Sequence, residues 1–383
     1  MRGRSRDEEH RASTPLELFF DLCFVIAVSQ AASRLAYAFG HEHSPGAVLS
    51  YATVFFAIWW AWMNFTWFAS AYDTDDVPYR LLTLLQIVGV LILAAGIPRL
   101  FDDRDNGVVT LGYLVMRVGL VSQWLRAAAG HPERRRTCRR YAAGISVCMA
   151  GWLLLLLAPV DARGLGFAVM IVAELSVPLW AERTGPSPWH PGHIAERFGL
   201  FTLIVLGESL LSATVAFQAA LDGAGADRGM YLVAVGGVLT VFAMWWIYFA
   251  KPAEELLASN HESFRWGYGH YLIFASIAAV GAGLEVGVEV AAGHAELSTL
   301  VAGATVTVPV AVYLLTAWVL LVLPHRLGVA RTAVYPLTAG LVLLATFTGQ
   351  PVLLTGLLLS GLVAVSISRQ NQMHRDLTAT APD

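Results

Sequence analysis

Two carboxylates one helical turn apart interrupt the first apolar segment of the chain, PLELFFDLCFVIAVSQ (residues 15–30). Glu17 and Asp21 would share one face of a helix, where two like charges repel each other unless another group compensates them. Thr14, Pro15 and Glu17 have the form of a capping box with proline at the first helical position, so we predict that Glu17 caps this helix. Asp21 lies about 9 Å along the helix, beyond the reach of a cap, and a function or a buried partner is the favoured interpretation.

A second polar group belongs to the later segment HIAERFGLFTLIVLGES (residues 193–209). Glu196 lies near the start of that segment beside Arg197, and we predict a helix-end structural role for it. Glu208 lies about 18 Å further along the same helix, where a short carboxylate side chain cannot easily reach water. We expect Glu208 to serve a function or a buried network, and Ser209 follows it directly.

Arg117 and Glu174 lie near the middle of two other apolar segments. A charge at that depth needs a partner, a water-filled cavity or a function. Glu174 and Glu208 are the two acids at a depth comparable to that of Arg117, so an ion pair or a triad inside the bundle follows by elimination. Two interpretations stay open: a transport role, or a buried pair that only fixes helix register.

Uncharged polar and aromatic side chains also occur inside these segments. Asn64 is a candidate ligand, although a hydrogen bond between helices is the commoner role of such a residue. Several tryptophans could stack a substrate, but packing or interface anchoring is commoner for membrane tryptophans. They are Trp59, Trp60, Trp62, Trp67, Trp245 and Trp246.

Three aspartates follow the second apolar segment in YDTDDVPYR (residues 72–80). Asp73, Asp75 and Asp76 resemble the first half of a calcium loop, but the glycine and the closing glutamate of an EF-hand are missing, so we predict no metal site. Asp76 precedes the next segment and is expected to cap its helix, and Arg80 is available to an acid of the first two segments. The expected cytoplasmic cluster comprises Glu17, Asp21, Asp73 and Arg80.

Helices in a membrane must position these residues. Of 383 residues, 56% are hydrophobic and only 14% are charged, and the mean hydropathy is +0.59, which excludes an ordinary soluble protein. Apolar runs of about 17 to 25 residues recur along nearly the whole chain, and this is the length that crosses a hydrocarbon core. We predict an all-α fold, a polytopic membrane helical bundle with about 12 transmembrane helices.

Weak internal similarity divides this bundle. FFAIWWAW (residues 55–62) and VFAMWWIY (residues 241–248) match in the same order as two shorter pairs, which predicts two similar six-helix halves. Most Lys and Arg residues outside the apolar segments fall on the side of the N-terminus, which predicts cytoplasmic N- and C-termini. The predicted parts are a basic cytoplasmic tail (1–14), a first transmembrane half (15–181), a cytoplasmic linker (182–193), a second transmembrane half (194–368) and a cytoplasmic C-terminal tail (369–383).

Motifs of soluble catalysis and of nucleotide binding are absent from the sequence. It contains no GxxxxGK[ST], HExxH or GxSxG pattern, and its loops are short. We therefore expect no enzymatic activity, no cofactor, no metal and no nucleic-acid partner. An ion gradient would be the energy source.

The chain carries ELFFDLCFV (residues 17–25), NFTWFASAYDTDDVPYR (residues 64–80) and HIAERFGLFTLIVLGES (residues 193–209). Together these motifs resemble the bacterial low temperature requirement A family, over approximately residues 14–368. The resemblance implies an integral membrane protein linked by name to growth in the cold, and it implies no particular biochemical activity. The positions that it marks are Glu17, Asp21, Asp73, Asp75, Asp76, Arg80, Glu196, Arg197 and Glu208.

The leading hypothesis is a secondary transporter of the bacterial inner (plasma) membrane, coupled to protons or another ion and acting on a small solute or ion. Protonation of Asp21 or Glu208 would couple a proton to substrate movement. One alternative is a non-transporting membrane protein that supports envelope function or growth in the cold. A third hypothesis is a membrane-embedded lipid-modifying enzyme. The candidates for binding a solute or an ion are Asp21, Asn64, Asp73, Asp75, Asp76, Arg80, Arg117, Glu174, Arg197, Glu208 and Ser209, with Thr14, Glu17 and Glu196 as structural caps.

Overall fold

A computed structural model gives the fold of the protein. It describes residues 1, 3, 4, 12–42, 46–102, 105–223, 228–257, 260–295, 297–325 and 332–379. Every regular element among these residues is helical, and ten of the helices are long and apolar enough to cross a membrane. The prediction of an all-α polytopic membrane bundle is confirmed.

Twelve α-helices lie in the described part of the chain, and we number them in chain order. They are α1 (Pro15–Tyr37), α2 (Ala47–Tyr72), α3 (Val77–Asp102), α4 (Gly107–Gly130), α5 (Arg135–Leu156), α6 (Val160–Ala181), α7 (Pro191–Gly223), α8 (Arg228–Phe249), α9 (Asn260–Ala291), α10 (Thr299–Ala317), α11 (Val334–Ala345) and α12 (Pro351–Ala379). The turn Ala38–Glu42 extends α1, and the turn Trp318–Val322 extends α10.

Two helices that were expected to span the membrane have shorter apolar parts than the other ten. The helix α5 begins with RRTCRR, so only its later part is apolar. The helix α11 has 12 residues. A helix of that length rises about 18 Å, which is less than the hydrocarbon thickness of about 30 Å.

The chain forms two compact units, and unit 1 comprises Met1–Ala31, Val48–Phe201 and Leu257–Ser263. Its helices α3 and α4 approach each other through glycines. A Cβ atom on Gly89 would lie 2.7 Å from the carbonyl oxygen of Gly112, and a Cβ atom on Gly112 would lie 2.5 Å from the backbone nitrogen of Leu93. The two backbones therefore touch, as small residues allow in membrane helix pairs.

Unit 2 comprises Ala32–Ala47, Thr202–Leu256 and Phe264–Asp383. Within it, α8 and α12 meet at Gly236, where a Cβ atom would lie 2.6 Å from the backbone nitrogen of Leu353. The hydroxyl of Tyr313 on α10 donates to the carbonyl oxygen of Met244 on α8 at 2.6 Å. The first parts of α1 and α7 belong to unit 1 and their later parts belong to unit 2. The division into two repeated six-helix halves stays a prediction.

Candidate functional site

Four buried side chains near the starts of α1 and α7 form a cluster, which we call the α1–α7 charge cluster. Its members are Glu17 and Asp21 of α1 and His193 and Arg197 of α7, all inside unit 1. Arg197 donates from Nε and Nη2 to the two carboxylate oxygens of Asp21, at 3.0 and 2.5 Å. Its Nη1 lies 3.2 Å from Oε1 of Glu17, so one guanidinium bridges both acids. The Nε2 atom of His193 lies 3.2 Å from the same Glu17 oxygen.

The helical repeat explains how this cluster assembles. Glu17 and Asp21 are four residues apart on α1, and His193 and Arg197 are four residues apart on α7, so each pair occupies one helix face. Glu17 and His193 are separated by 176 residues, and so are Asp21 and Arg197. Equal separations mean that the two helices run in the same direction and meet in register. Two acids on one face therefore contact two bases on the other.

Two further groups hold the carboxylates. The backbone N–H of Thr14 donates to Glu17 at 2.8 Å and the N–H of Glu17 donates to the Thr14 hydroxyl at 3.3 Å, so the predicted capping box is present. The indole Nε1 of Trp62 on α2 donates to Oδ1 of Asp21 at 2.7 Å. Glu17 thus caps α1 and also belongs to the cluster. Trp62, for which packing or anchoring was the favoured expectation and substrate stacking the alternative, is a hydrogen-bond donor to Asp21.

One proton sets the total charge of the four members. If both carboxylates are ionised, each carries −1 and Arg197 carries +1, so the four side chains sum to −1 with a neutral His193 and to zero with a protonated one. Histidine changes its charge close to neutral pH more readily than other side chains. Charge balance is strongly favoured where water is excluded. The backbone N–H of His193 donates to Nδ1 of His190. This arrangement can bind and release a proton.

A second buried pair joins α4 to α6. Arg117 donates from Nη2 to both carboxylate oxygens of Glu174, at 3.1 Å each. Two tryptophan indoles also donate to this carboxylate: Trp60 of α2 at 2.8 Å and Trp152 of α5 at 3.1 Å. The ring of Tyr113 lies 4.9 Å from the guanidinium carbon of Arg117. The predicted ion pair of Arg117 is therefore made with Glu174, one of the two acids that the sequence allowed.

A cavity of about 90 Å³ lies beside this pair, and we call it the α2–α6 cavity. Glu174 and Trp152 form part of its wall, and most of the remaining wall is apolar. Its other polar lining groups come from the first part of α2, the first part of α4 and the residue before α4. They are Thr53, Asn106, Thr110 and Tyr113.

The helix α2 carries a donor to each of the two buried carboxylate sites. Trp60 donates to Glu174 and Trp62 donates to Asp21. These two residues are about 3 Å apart along the helix axis and about 200° apart around it, so they point to nearly opposite faces. The α2–α6 cavity and the α1–α7 charge cluster therefore lie on different sides of one helix inside unit 1.

The loop aspartates form a separate surface network between α2 and α3. Asp75 pairs with Arg80 at 2.6 Å, and both side chains are more than half exposed. The hydrogen bond from Arg80 holds the pKa of Asp75 below its usual value. Asp73 accepts the backbone N–H of Asp75 at 3.0 Å, in a turn where Asp75 has a positive φ of 46°. The expected cluster of Glu17, Asp21, Asp73 and Arg80 is wrong for the two acids of α1, because Arg80 pairs with Asp75 at the surface and Arg197 pairs with Glu17 and Asp21.

Asp76 has the capping role that the sequence predicted. Its Oδ1 atom accepts the backbone N–H of Tyr79 at 2.8 Å, and Arg126 of α4 lies 2.7 Å from its other oxygen. Partial burial raises the pKa of Asp76, but the Tyr79 N–H and the Arg126 guanidinium outweigh that effect, so the pKa lies below its usual value.

The remaining candidates have local or separate partners. Asn64 donates to the carbonyl oxygen of Trp60 one turn earlier, at 2.7 Å. Glu196 accepts the backbone N–H of Ser13 at 3.0 Å, so it satisfies the chain before α1 and does not cap α7. Ser209 of unit 2 donates to carbonyl oxygens of α7 and α9. Glu208 is half-buried, and the described part of unit 2 contains no hydrogen bond or ion pair of its carboxylate.

The family model described as bacterial low temperature requirement A protein (LtrA) matches residues 12–367. The chain belongs to this family. The match includes every member of the α1–α7 charge cluster and the Arg117–Glu174 pair, so both buried sites lie within the part of the chain that is typical of LtrA proteins. This LtrA-family chain is a multi-pass membrane protein.

A curated relative of the chain comes from Rhizobium meliloti (strain 1021), where it is described as an uncharacterised protein. It is 28% identical over 291 residues, which cover 72% of this chain and 69% of the relative. The description of this relative names no activity.

Sequence reasoning missed the roles of four side chains in the two sites of this LtrA protein: His193, Trp60, Trp62 and Trp152. His193 had a readable signal, since its spacing to Arg197 repeats the spacing of the two acids in α1. The tryptophans had none, because an indole that donates to a buried carboxylate and one that only packs have the same local sequence.

Proposed function

We propose that the protein is a proton-coupled secondary transporter of the bacterial plasma membrane, with both termini in the cytoplasm. The observation that carries the proposal is His193, a fully buried imidazole in contact with a carboxylate that shares one guanidinium with a second carboxylate. A structural ion pair needs one acid and one base. The α1–α7 charge cluster has two acids, one permanent base and one titratable base.

The proton acts on the contact between His193 and Glu17. A protonated imidazole makes a charge-assisted hydrogen bond to the carboxylate, whereas a neutral imidazole makes an ordinary one. Arg197 stays fixed by its two hydrogen bonds to Asp21. Gain or loss of the proton therefore changes how strongly the first turns of α1 and α7 hold each other. That change is the proposed coupling step, and it assigns to His193 and Glu17 the role that the sequence gave to Asp21 or Glu208.

The α2–α6 cavity is the proposed solute site. A cavity of about 90 Å³ is smaller than pockets for drug-sized ligands, which have volumes of about 300–1,000 Å³. Its mostly apolar wall with a few polar groups, among them Thr110 and Asn106, favours a small solute with an apolar body and one polar group, such as a small amine. The helix α2 contacts the proton site through Trp62, lines the solute site with Thr53 and Ala57, and donates from Trp60 to Glu174 in the wall of that site. We propose that the protein catalyses no reaction.

Reconstituted vesicles test this function. Proton flux is measured with entrapped pyranine while a panel of small amines, amino acids and osmolytes is added, with and without an imposed pH gradient. The wild type should show solute-dependent proton flux. His193→Gln should abolish this flux, because a glutamine amide does not take up a proton near neutral pH. Arg80→Gln, which removes an exposed ion pair, is the control and should behave as the wild type.

Two results would reject the proposal. Full proton coupling in His193→Gln would exclude His193 as the proton site. A wild-type protein that moves neither protons nor solutes across the whole panel would favour the alternative of a non-transporting membrane protein, in which both buried clusters serve stability.

A further inference from the structure

The start of α5 carries four arginines in a row of six residues, RRTCRR (residues 135–140). Positions i, i+1, i+4 and i+5 of a helix lie on one side of it, so the four guanidinium groups share one face. The helix N-terminus adds a partial positive charge at the same end. The sequence segment therefore concentrates positive charge at one end of α5. The four residues are Arg135, Arg136, Arg139 and Arg140.

These arginines line an open cleft of about 450 Å³ between the first part of α5 and the last part of α6, which we call the arginine cleft. Arg140 is held in place there: its Nη1 atom donates to the carbonyl oxygen of Trp180 at 3.0 Å, and its guanidinium carbon lies 4.9 Å from the Trp180 ring. Arg135 donates to the carbonyl oxygen of Ala128 at 3.1 Å. Glu133 also lines the cleft and is its acidic member.

The other two arginines of the cleft are available to a ligand. Arg136 and Arg139 are exposed, and among the residues that the structure describes neither makes a hydrogen bond or an ion pair. With one carboxylate against four guanidinium groups, the arginine cleft is strongly positive. Guanidinium groups bind phosphate oxygens in a bidentate manner, which makes arginine the residue that suits this anion best.

The cleft lies where the lipid-facing surface of α5 and α6 begins. Further along α5 most of the exposed side chains are apolar, with Val147 72% exposed. On α6 the last residues before the cleft are Leu179 and Trp180, and Trp180 is 41% exposed. Tryptophan at such a position is typical of the boundary between hydrocarbon and headgroups. A ligand in the arginine cleft would therefore have water on one side and acyl chains on the other.

We propose that the arginine cleft binds the phosphate headgroup of an anionic phospholipid. Arg136 and Arg139 contact the phosphate, Arg140 and Trp180 form the wall, and the acyl chains lie along the exposed apolar side chains of α5 and α6. A free phosphate ion would use the same guanidinium groups, but it would leave the adjoining apolar surface without a role. Basic pockets between helices at the membrane boundary have this chemistry.

Native mass spectrometry of the full chain in detergent micelles tests the lipid site. The protein is titrated with phosphatidylglycerol and, separately, with phosphatidylcholine. The double variant Arg136→Gln/Arg139→Gln should bind phosphatidylglycerol about thirtyfold more weakly than the wild type, since each arginine near an anionic surface contributes about a factor of five. Phosphatidylcholine should bind weakly to both proteins.

The control is Arg183→Gln, which removes another exposed arginine that does not line the cleft. It should bind phosphatidylglycerol as the wild type does. The affinity of Arg136→Lys/Arg139→Lys should lie between those of the wild type and the glutamine variant, because lysine keeps the charge and loses the bidentate geometry. Equal binding by the wild type and the glutamine variant, or equal loss in Arg183→Gln, would overturn the proposal. Displacement of the lipid by inorganic phosphate at equal concentration would also overturn it in favour of a free-anion site.

Discussion

Replacing Arg197 by glutamine removes the permanent positive charge of the α1–α7 charge cluster. Glu17 and Asp21 would then lie one helical turn apart with the guanidinium that bridges them gone. Both carboxylates are fully buried. A glutamine side chain is shorter and neutral, so it cannot restore the bridge.

The structure sets the size of the expected effect. Arg197 donates two hydrogen bonds to Asp21 and makes an ion contact with Glu17. A hydrogen bond to a charged group contributes about 1.5–3 kcal/mol, and breaking a buried ion pair by removing one partner costs about 3–5 kcal/mol. We therefore expect Arg197→Gln to lower the free energy of unfolding by about 3–5 kcal/mol.

The assay is unfolding of the purified protein from mild detergent by increasing SDS, followed by tryptophan fluorescence. The double variant Asp21→Asn/Arg197→Gln should be more stable than Arg197→Gln alone, because it also removes the carboxylate that lost its partner. Arg80→Gln is the matched control: its ion pair has a comparable distance of 2.6 Å, but the Arg80 side chain is 58% exposed. The control should unfold at the wild-type midpoint.

One result would refute this reasoning. If Arg197→Gln unfolded at the same SDS concentration as Arg80→Gln, burial would not be what gives the cluster its energy, and the cluster would not join α1 to α7. If the double variant were no more stable than Arg197→Gln, the effect would come from lost packing of the long arginine side chain.

Three further predictions concern other parts of unit 1. Glu174→Gln should destabilise the protein by about 3–5 kcal/mol in the same SDS assay, because it leaves Arg117 buried opposite a neutral group; a change below 1 kcal/mol would contradict the pairing. Gly89→Ala should cost about 1–3 kcal/mol because its Cβ atom would meet the α4 backbone, whereas the same change at Gly207, which has open space around it, should be tolerated. Asp76 has a lowered pKa in the folded protein, so its contribution to stability is present above pH about 4 and lost as the pH falls further. Asp76→Asn should therefore reduce the loss of stability between neutral and acid pH, measured as the SDS midpoint.

Local features of the chain were accessible from its sequence. Apolar runs long enough to span a membrane can be read directly from the sequence, and the helices α1 to α12 lie in these runs. The capping box of Thr14 and Glu17 and the cap by Asp76 were also predictable, since each joins residues three positions apart. Such contacts need only the helix to form.

The sequence predicted only some of the ion-pair partners that lie on different helices. The depth of Arg117 implied a buried acid, but depth alone did not separate Glu174 from Glu208, because each apolar segment can rotate about its own axis. The sequence left the partner of Asp21 open and made Arg80 available to any acid of the first two segments, whereas the structure pairs Asp21 with Arg197. In both cases the partner depends on which helices are neighbours, and the sequence of a single chain does not give that information.

The sequence by itself determined that this is an all-helical, multi-pass membrane chain of the LtrA family and where several of its helices start. The tertiary structure alone decided that two acids on α1 face His193 and Arg197 on α7, across 176 residues of chain. The physical reason is that a helix satisfies its own backbone hydrogen bonds locally, so its residues specify it. A buried charge must instead find its partner on another helix, and only the packing of those helices determines which partner lies within reach.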